Sequence, residues 1–226
     1  MIQLGILLTQ GHRLLSVAAI LDVFESVNQL YVAERQPPFF NISYVHLPDA
    51  VRHTYSAHDA YTPDNAPGLD LILIPAFAPQ DMAAALSDNK SFIPWLHTQR
   101  QRGAEIASFC TGAFLLAATG LLDKKPATTH VQAADIFAMT FPDVALKPGE
   151  VSTSAQGIYT SGGATNSFHL MLRLLEKYCG HAVAIRTAKY FAIDMNREQQ
   201  AYFSTFRPVM HHHDELAADL QRRIEN

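Results

Sequence analysis

The sequence predicts an α/β protein in which a mostly parallel sheet carries helices on both faces and a helical extension follows at the carboxyl end. Three observations lead there. Short apolar bursts of strand length alternate with stretches whose apolar residues recur at helical spacing, the pattern of a parallel sheet with crossover helices. The 226 residues, 48% hydrophobic and 17% charged, describe an ordinary globular chain long enough for one sizeable core plus a small appendage. After Phe191 the character turns polar, so residues 1–190 read as the α/β domain and 191–226 as the extension.

In order along the chain, Ile2 to Leu8 is a buried strand. Leu14 to Ala33 is a helix with Val17, Leu21, Phe24 and Val27 on one side. Asn41 to Leu47 is a second strand, and the run from Asp70 to Ile74 is a third, stopped by Pro75. Helices cover Gln80 to Leu86 and Phe92 to Arg102, Gly103 ends the latter, and Glu105 to Phe109 is the next strand. Ala113 to Thr119 is an apolar helix. Ala127 to His130 and Tyr159 to Ser161 are short strands. Asn166 to Tyr178 is a helix made apolar by Phe168, Leu170, Met171, Leu172, Leu174 and Leu175. A charged helix over residues 211–225 closes the sequence.

A formal net charge of −4 provides no basic excess for binding nucleic acid by electrostatics alone. No apolar run comes near the roughly 18–20 residues that cross a bilayer. The opening stretch MIQLGILLTQGHRLLS lacks the basic start and small-residue cleavage site of a signal peptide. The two cysteines, Cys110 and Cys179, lie far apart and argue against a disulfide scaffold, so a reducing, cytoplasmic setting is expected.

The most informative stretch is ASFCTGAF, Ala107 to Phe114. A strand runs straight into Cys110 and small residues then open an apolar helix, so the turn presents the thiol at the sheet edge in the manner of a nucleophile elbow. Ligands of parallel sheets bind just beyond such carboxyl ends. The backbone N–H groups of Thr111 and Gly112, at the helix start, favour a thiolate or a bound anion. A free cysteine titrates near about 8.5, and surroundings of this kind lower that value. The same spacing also fits a buried core cysteine, and spacing alone leaves both readings open. His130, twenty positions on, is either a base beside the thiol or a histidine held by backbone hydrogen bonds.

The run SFCTGAFLLAATGLLD from Ser108 to Asp123, followed by ATTH from Ala127 to His130, resembles the ThiJ/PfpI (class I glutamine amidotransferase-like) superfamily. Within it, the likeness is greatest to the amino-terminal domains of AraC-type transcriptional regulators. It continues through TSGG at Thr160 to Gly163 and the helix after it, through Ala188 to Phe206, and from His212 to Glu225. The resemblance implies a flavodoxin-like three-layer sandwich with Cys110 as the pocket cysteine and His130 beside it. It further implies the ligand-sensing and dimerisation domain of a cytoplasmic AraC-type regulator, a homodimer that binds a small metabolite. In that family a helix-turn-helix domain follows the segment corresponding to Gln221 to Asn226. The ligand-binding residues expected on this reading are Ser16, Ala76, Phe77, Cys110, Thr111, Gly112 and His130, with no metal and no cofactor. Contact with a membrane is not expected, nor is DNA binding by this chain alone, which carries neither a helix-turn-helix nor a basic patch.

Two departures bear on catalysis. Members that are enzymes place a glutamate or aspartate at the start of the first helix, hydrogen-bonded to the cysteine; here that position is Ser16, followed by Val17, Ala18 and Ala19. The nearest acid, Asp22, lies about 240° round the helix and roughly 9 Å along it, too far to take over. At Pro75, Ala76 and Phe77 the superfamily often has glycines whose amides face the pocket, and the larger side chains weaken an oxyanion hole. The rival expectations are an enzyme with Cys110 as nucleophile and His130 as base (hydratase, amidase or glyoxalase-like), and a redox sensor acting through oxidation of Cys110.

Other constellations point to bland roles. The adjacent residues His211 to His213 cannot all face one ion, and Asp214 suits a positive helix end. Tyr55, Tyr61 and Phe77 could line a pocket, although scattered aromatics are more often core, and His169 is a packed or capped histidine. Arg222 and Arg223 form a solvated helix face.

Overall fold

The computed structural model describes residues 1–48, 58–77, 81–163 and 165–195. Tyr55, Gln80 and everything after Met195 lie outside the described residues, including the expected closing helix, His211 to Asp214 and the Arg222–Arg223 pair.

The strands are β1 (Ile2–Leu8), β2 (Phe40–His46), β3 (Asp59–Tyr61), β4 (Leu71–Ile74), β5 (Glu105–Phe109), β6 (Pro126–Ala127), β7 (Ala145–Leu146), β8 (Ser152–Ala155) and β9 (Ile158–Ser161). The helices are α1 (Leu14–Ala33), α2 (Met82–Asn89), α3 (Phe92–Gln101), α4 (Gly112–Ala118), α5 (Ala134–Thr140), α6 (Asn166–Cys179) and α7 (His181–Tyr190). Seven strands form one sheet in the order β3-β2-β1-β4-β5-β9-β8, parallel throughout except for the β8–β9 hairpin. The short β6 and β7 pair with each other in a separate ladder.

Burial on both faces explains the continuous apolar runs of the central strands. In β4, Leu71 and Leu73 join Phe24 of α1 and Leu170 of α6 in one core, with Ala184 of α7. Ile72 and Ile74 join Leu96 of α3, Phe114 of α4 and Phe137 of α5 in the other. Each such side chain removed from water contributes about 1.5–3 kcal/mol. The result is the flavodoxin-like three-layer sandwich expected from the sequence.

The order reverses at β1, which has β2 on one side and β4 on the other. A crevice opens beyond the carboxyl ends of strands at such a reversal. Local chemistry sets several boundaries around it. Asp81 caps α2 by accepting from the N–H groups of Ala83 and Ala84 at 2.9 and 3.2 Å. Gly103, at φ 101°, ends α3 in a conformation that favours glycine.

Three sequence expectations are corrected. The strand expected over Ala127 to His130 stops at Ala127. Thr128 turns its N–H to the Thr160 hydroxyl at 2.7 Å, and Thr129 donates its hydroxyl to the Cys110 carbonyl at 3.0 Å. His130 therefore heads a short 3-10 turn, Val131–Ala133. Strands β3, β7 and β8 and helices α5 and α7 were not anticipated: β3 and β7 are two or three residues long, β8 is built of Ser152, Thr153, Ser154 and Ala155, and α5 and α7 span seven and ten residues. Finally, α1 is long and apolar enough to cross a membrane by length and composition. Asp22 and Glu25 interrupt the apolar run, which is why it reads shorter in the sequence. Val17, Ile20, Leu21, Val23, Phe24 and Val27 lie buried in the fold.

Candidate functional site

β5 delivers Cys110 into the crevice. Its residue sits at φ 55°, a left-handed conformation costly for a side chain with a Cβ. Hydrogen bonds on both sides hold it there: its N–H donates to the Ser161 carbonyl at 3.1 Å and its carbonyl accepts from Thr129. The TSGG and ATTH segments thus brace the elbow. Gly112 is required by close approach, since a Cβ there would stand 2.6 Å from the Ile74 carbonyl oxygen and 2.7 Å from that of Pro75.

Two threads tie the end of β4 to its neighbours. The Thr111 hydroxyl donates to the Phe77 carbonyl and accepts from the Phe77 N–H at 3.1 Å. On the other side, the Ser16 hydroxyl accepts from the Ala76 N–H at 2.9 Å, and the Arg13 N–H donates to the Ala76 carbonyl at 2.7 Å. The Ala76 amide, a candidate oxyanion donor in this position, is therefore occupied by Ser16.

His130 is half-buried, and its Nδ1 accepts from the Gln132 N–H at 3.2 Å. The neutral ring then carries its proton on Nε2. A Cβ at position 163 would lie 2.0 Å from His130 Cδ2, so Gly163 is what admits the imidazole. Burial, aided by the positive charge of Arg13, pushes the His130 pKa below the usual 6.5.

These groups wall one cavity of about 670 Å³, a size suited to a small organic ligand. Six of the seven residues expected from the sequence line it: Ser16, Ala76, Phe77, Cys110, Thr111 and His130. Gly112 does not line it among the described residues; its face lies against the β4 carbonyls. Phe77 is fully buried and serves the core as well as the cavity wall. Asp22 is exposed on α1 and Tyr61 belongs to the edge strand β3, so neither is part of the wall. His169 is buried on α6.

Sequence reading missed Arg13, Thr165, Ser167 and Phe168 on the same wall. A signal existed for each. Residues just after β1 and β9 must emerge at the same sheet edge as Cys110 when the strands run parallel.

The DJ-1/PfpI family pattern matches residues 62–177, just over half of the chain. The chain belongs to the DJ-1/PfpI family. Among its relatives, the HTH-type transcriptional regulator GbdR of Pseudomonas aeruginosa is 26% identical over 201 residues, covering 87% of this chain and 52% of that protein. The chain thus spans about half the length of that regulator. The isonitrile hydratase of Pseudomonas putida is 28% identical over 121 residues, 52% of this chain and 49% of the enzyme. A solved structure of a putative transcriptional regulator from Vibrio parahaemolyticus superposes with a TM-score of 0.70 at 20% identity, covering 84% of this chain and 98% of that one. That last likeness speaks to the fold alone. DJ-1/PfpI domains accordingly stand in both regulators and enzymes, and the cavity residues must discriminate between them.

Proposed function

We propose that this chain is the effector-sensing and dimerisation domain of a cytoplasmic AraC-type transcription regulator. A small metabolite occupies the Cys110–His130 cavity, and its differential affinity for two states of a dimer biases a DNA-binding half. The match along 87% of this chain to about half of an HTH-type regulator is the observation that carries the reading. The cavity supports it from the chemical side. Ser16 stands where a catalytic acid is expected and occupies the Ala76 amide, which disfavours turnover and leaves binding intact.

A thermal-shift titration against amide- and carboxylate-bearing metabolites tests the proposal. A true effector at a hundredfold excess over its Kd stabilises by about 2.7 kcal/mol. Light scattering with and without that compound reads the dimer. If no member of such a panel shifts the melting temperature of the wild type, the reading fails.

The second reading is a cysteine-dependent enzyme, favoured by the left-handed elbow at Cys110 and by the hydratase relative. It requires that Cys110→Ala abolish turnover of an isonitrile or amide substrate. Turnover that survives in that variant excludes it.

A further inference from the structure

The cavity wall has a charge character of its own. Arg13 and His130 are its basic side chains, and no aspartate or glutamate lines it among the described residues, although the chain carries 21 acids against 17 lysines and arginines. Arg13 is exposed at the start of α1 and makes no ion pair with a described carboxylate. It lies near enough to His130 to disfavour that residue's protonation. His130 offers a donor at Nε2, because Nδ1 is already engaged with Gln132. Thr165 and Ser167 add hydroxyls at the start of α6. Ser16, Thr111 and Gln132 are the other polar residues of the wall, and Leu15, Ala19, Phe77, Met82 and Phe168 make most of the remainder apolar.

A cation without a counter-charge among the described residues, in a partly enclosed and mostly apolar cavity, favours an anionic ligand, and the attraction exceeds that in open water. We propose that the cavity is a carboxylate site: Arg13 and His130 hold the anionic end of a small carboxylic acid, and its apolar remainder lies against Leu15, Phe77, Met82 and Phe168. This rests on the reading of the cavity as an effector site and names the class of effector. It adds two side-chain donors, Arg13 and His130, to the Thr111–Gly112 amides from which the sequence reading started. The Thr111 hydroxyl, by contrast, is committed to Phe77.

The test uses three probes of one shape and different charge: benzoate, benzamide and benzylamine. Each is titrated into the full chain by calorimetry, with the His130 Cε1–H resonance as site reporter. Benzoate is expected to bind at least about tenfold more tightly than benzamide, with benzylamine weakest. In Arg13→Gln, a change at an exposed position, the preference for benzoate over benzamide falls to within about threefold. Arg13→Lys restores part of the preference. Benzamide or benzylamine binding as tightly as benzoate, or a preference that survives Arg13→Gln, overturns the carboxylate site while leaving the cavity a ligand site. Failure of benzoate to bind or to move the His130 resonance overturns the carboxylate site, while the effector reading stands or falls separately with the metabolite panel.

Discussion

The hydroxyl of Ser16 accepts a hydrogen bond from the backbone N–H of Ala76 at 2.9 Å, joining the first turn of α1 to the segment after β4. The bond satisfies a polar group on a nearly buried residue and fixes one wall of the cavity. It also occupies the Ala76 N–H, which is then not available to a ligand in the cavity. Ser16 thus couples the position of α1 to the segment after β4.

Replacing that hydroxyl has a measurable cost. Ser16→Ala leaves the Ala76 N–H without this acceptor and destabilises the domain by about 1 kcal/mol. For a domain of this size the melting temperature falls by about 2–4 °C. Calorimetry of the variant checks it, and an unchanged melting temperature shows the bond to be dispensable.

Gly112 and Gly163 answer differently to the same substitution. At Gly112 an added Cβ meets two backbone carbonyls, which cannot move without shifting β4. Gly112→Ala therefore costs about 3 kcal/mol or more. At Gly163 the added Cβ meets the His130 ring, which can swing aside. Gly163→Ala keeps most of its stability, within about 2 kcal/mol, and displaces the His130 resonance instead. Denaturant melts and histidine NMR of the two variants separate these outcomes.

The lowered pKa of His130 makes stability depend on pH. The unfolded chain takes up a proton near the usual 6.5, while the folded imidazole, desolvated and facing Arg13, resists until lower pH. Between those values the unfolded state binds more protons, so the contribution is intact above the unfolded value and is lost as pH falls through the folded one. His130→Asn flattens this part of the stability profile. A bound carboxylate raises the His130 pKa, so benzoate affinity rises on acidification from neutral pH and the slope vanishes in His130→Asn. Cys110 shares the cavity wall, so the same titrations in Cys110→Ala are expected to keep the slope.

At the opposite end of β5, Glu105 accepts hydrogen bonds from Lys177, from Tyr178 at 2.6 Å and from Tyr159 at 3.2 Å. Burial pushes its carboxyl up, but the bonds from Lys177 and Tyr178 outweigh that, and the net shift is downward from 4.5. Its contribution is present above the unfolded value and lost as pH falls through the folded one. Glu105→Gln loosens β5 from β9 and α6 by about 1–2 kcal/mol at neutral pH, with partial exposure limiting the loss. Urea melts at neutral pH and at about pH 3.5 should show the difference from wild type shrinking in acid.

The layers of the fold were legible because burial on two faces leaves a mark that needs no partner to read. β1, β5 and α1 were predicted to the residue, and β2, α3, α4 and α6 to within one or two. Elements that bury little left no such mark. β3 shows no fully buried residue, and β6 and β7 are held by two pairs of residues.

The site divides along the same line. The elbow at Cys110 is a local event, a strand meeting a helix through small residues, and the sequence by itself determined it. The sequence also determined that no acid follows at Ser16. Which groups face the thiol was decided only by the tertiary structure. Arg13 and the Thr165–Phe168 segment come from two points distant from each other and from Cys110 in the chain, and nothing local marks them as sharing a wall. They meet because parallel strands send every following loop to the same sheet edge, and register across the sheet sets which of those loops touch. The charge of the cavity, and with it the class of ligand, is a property of that meeting.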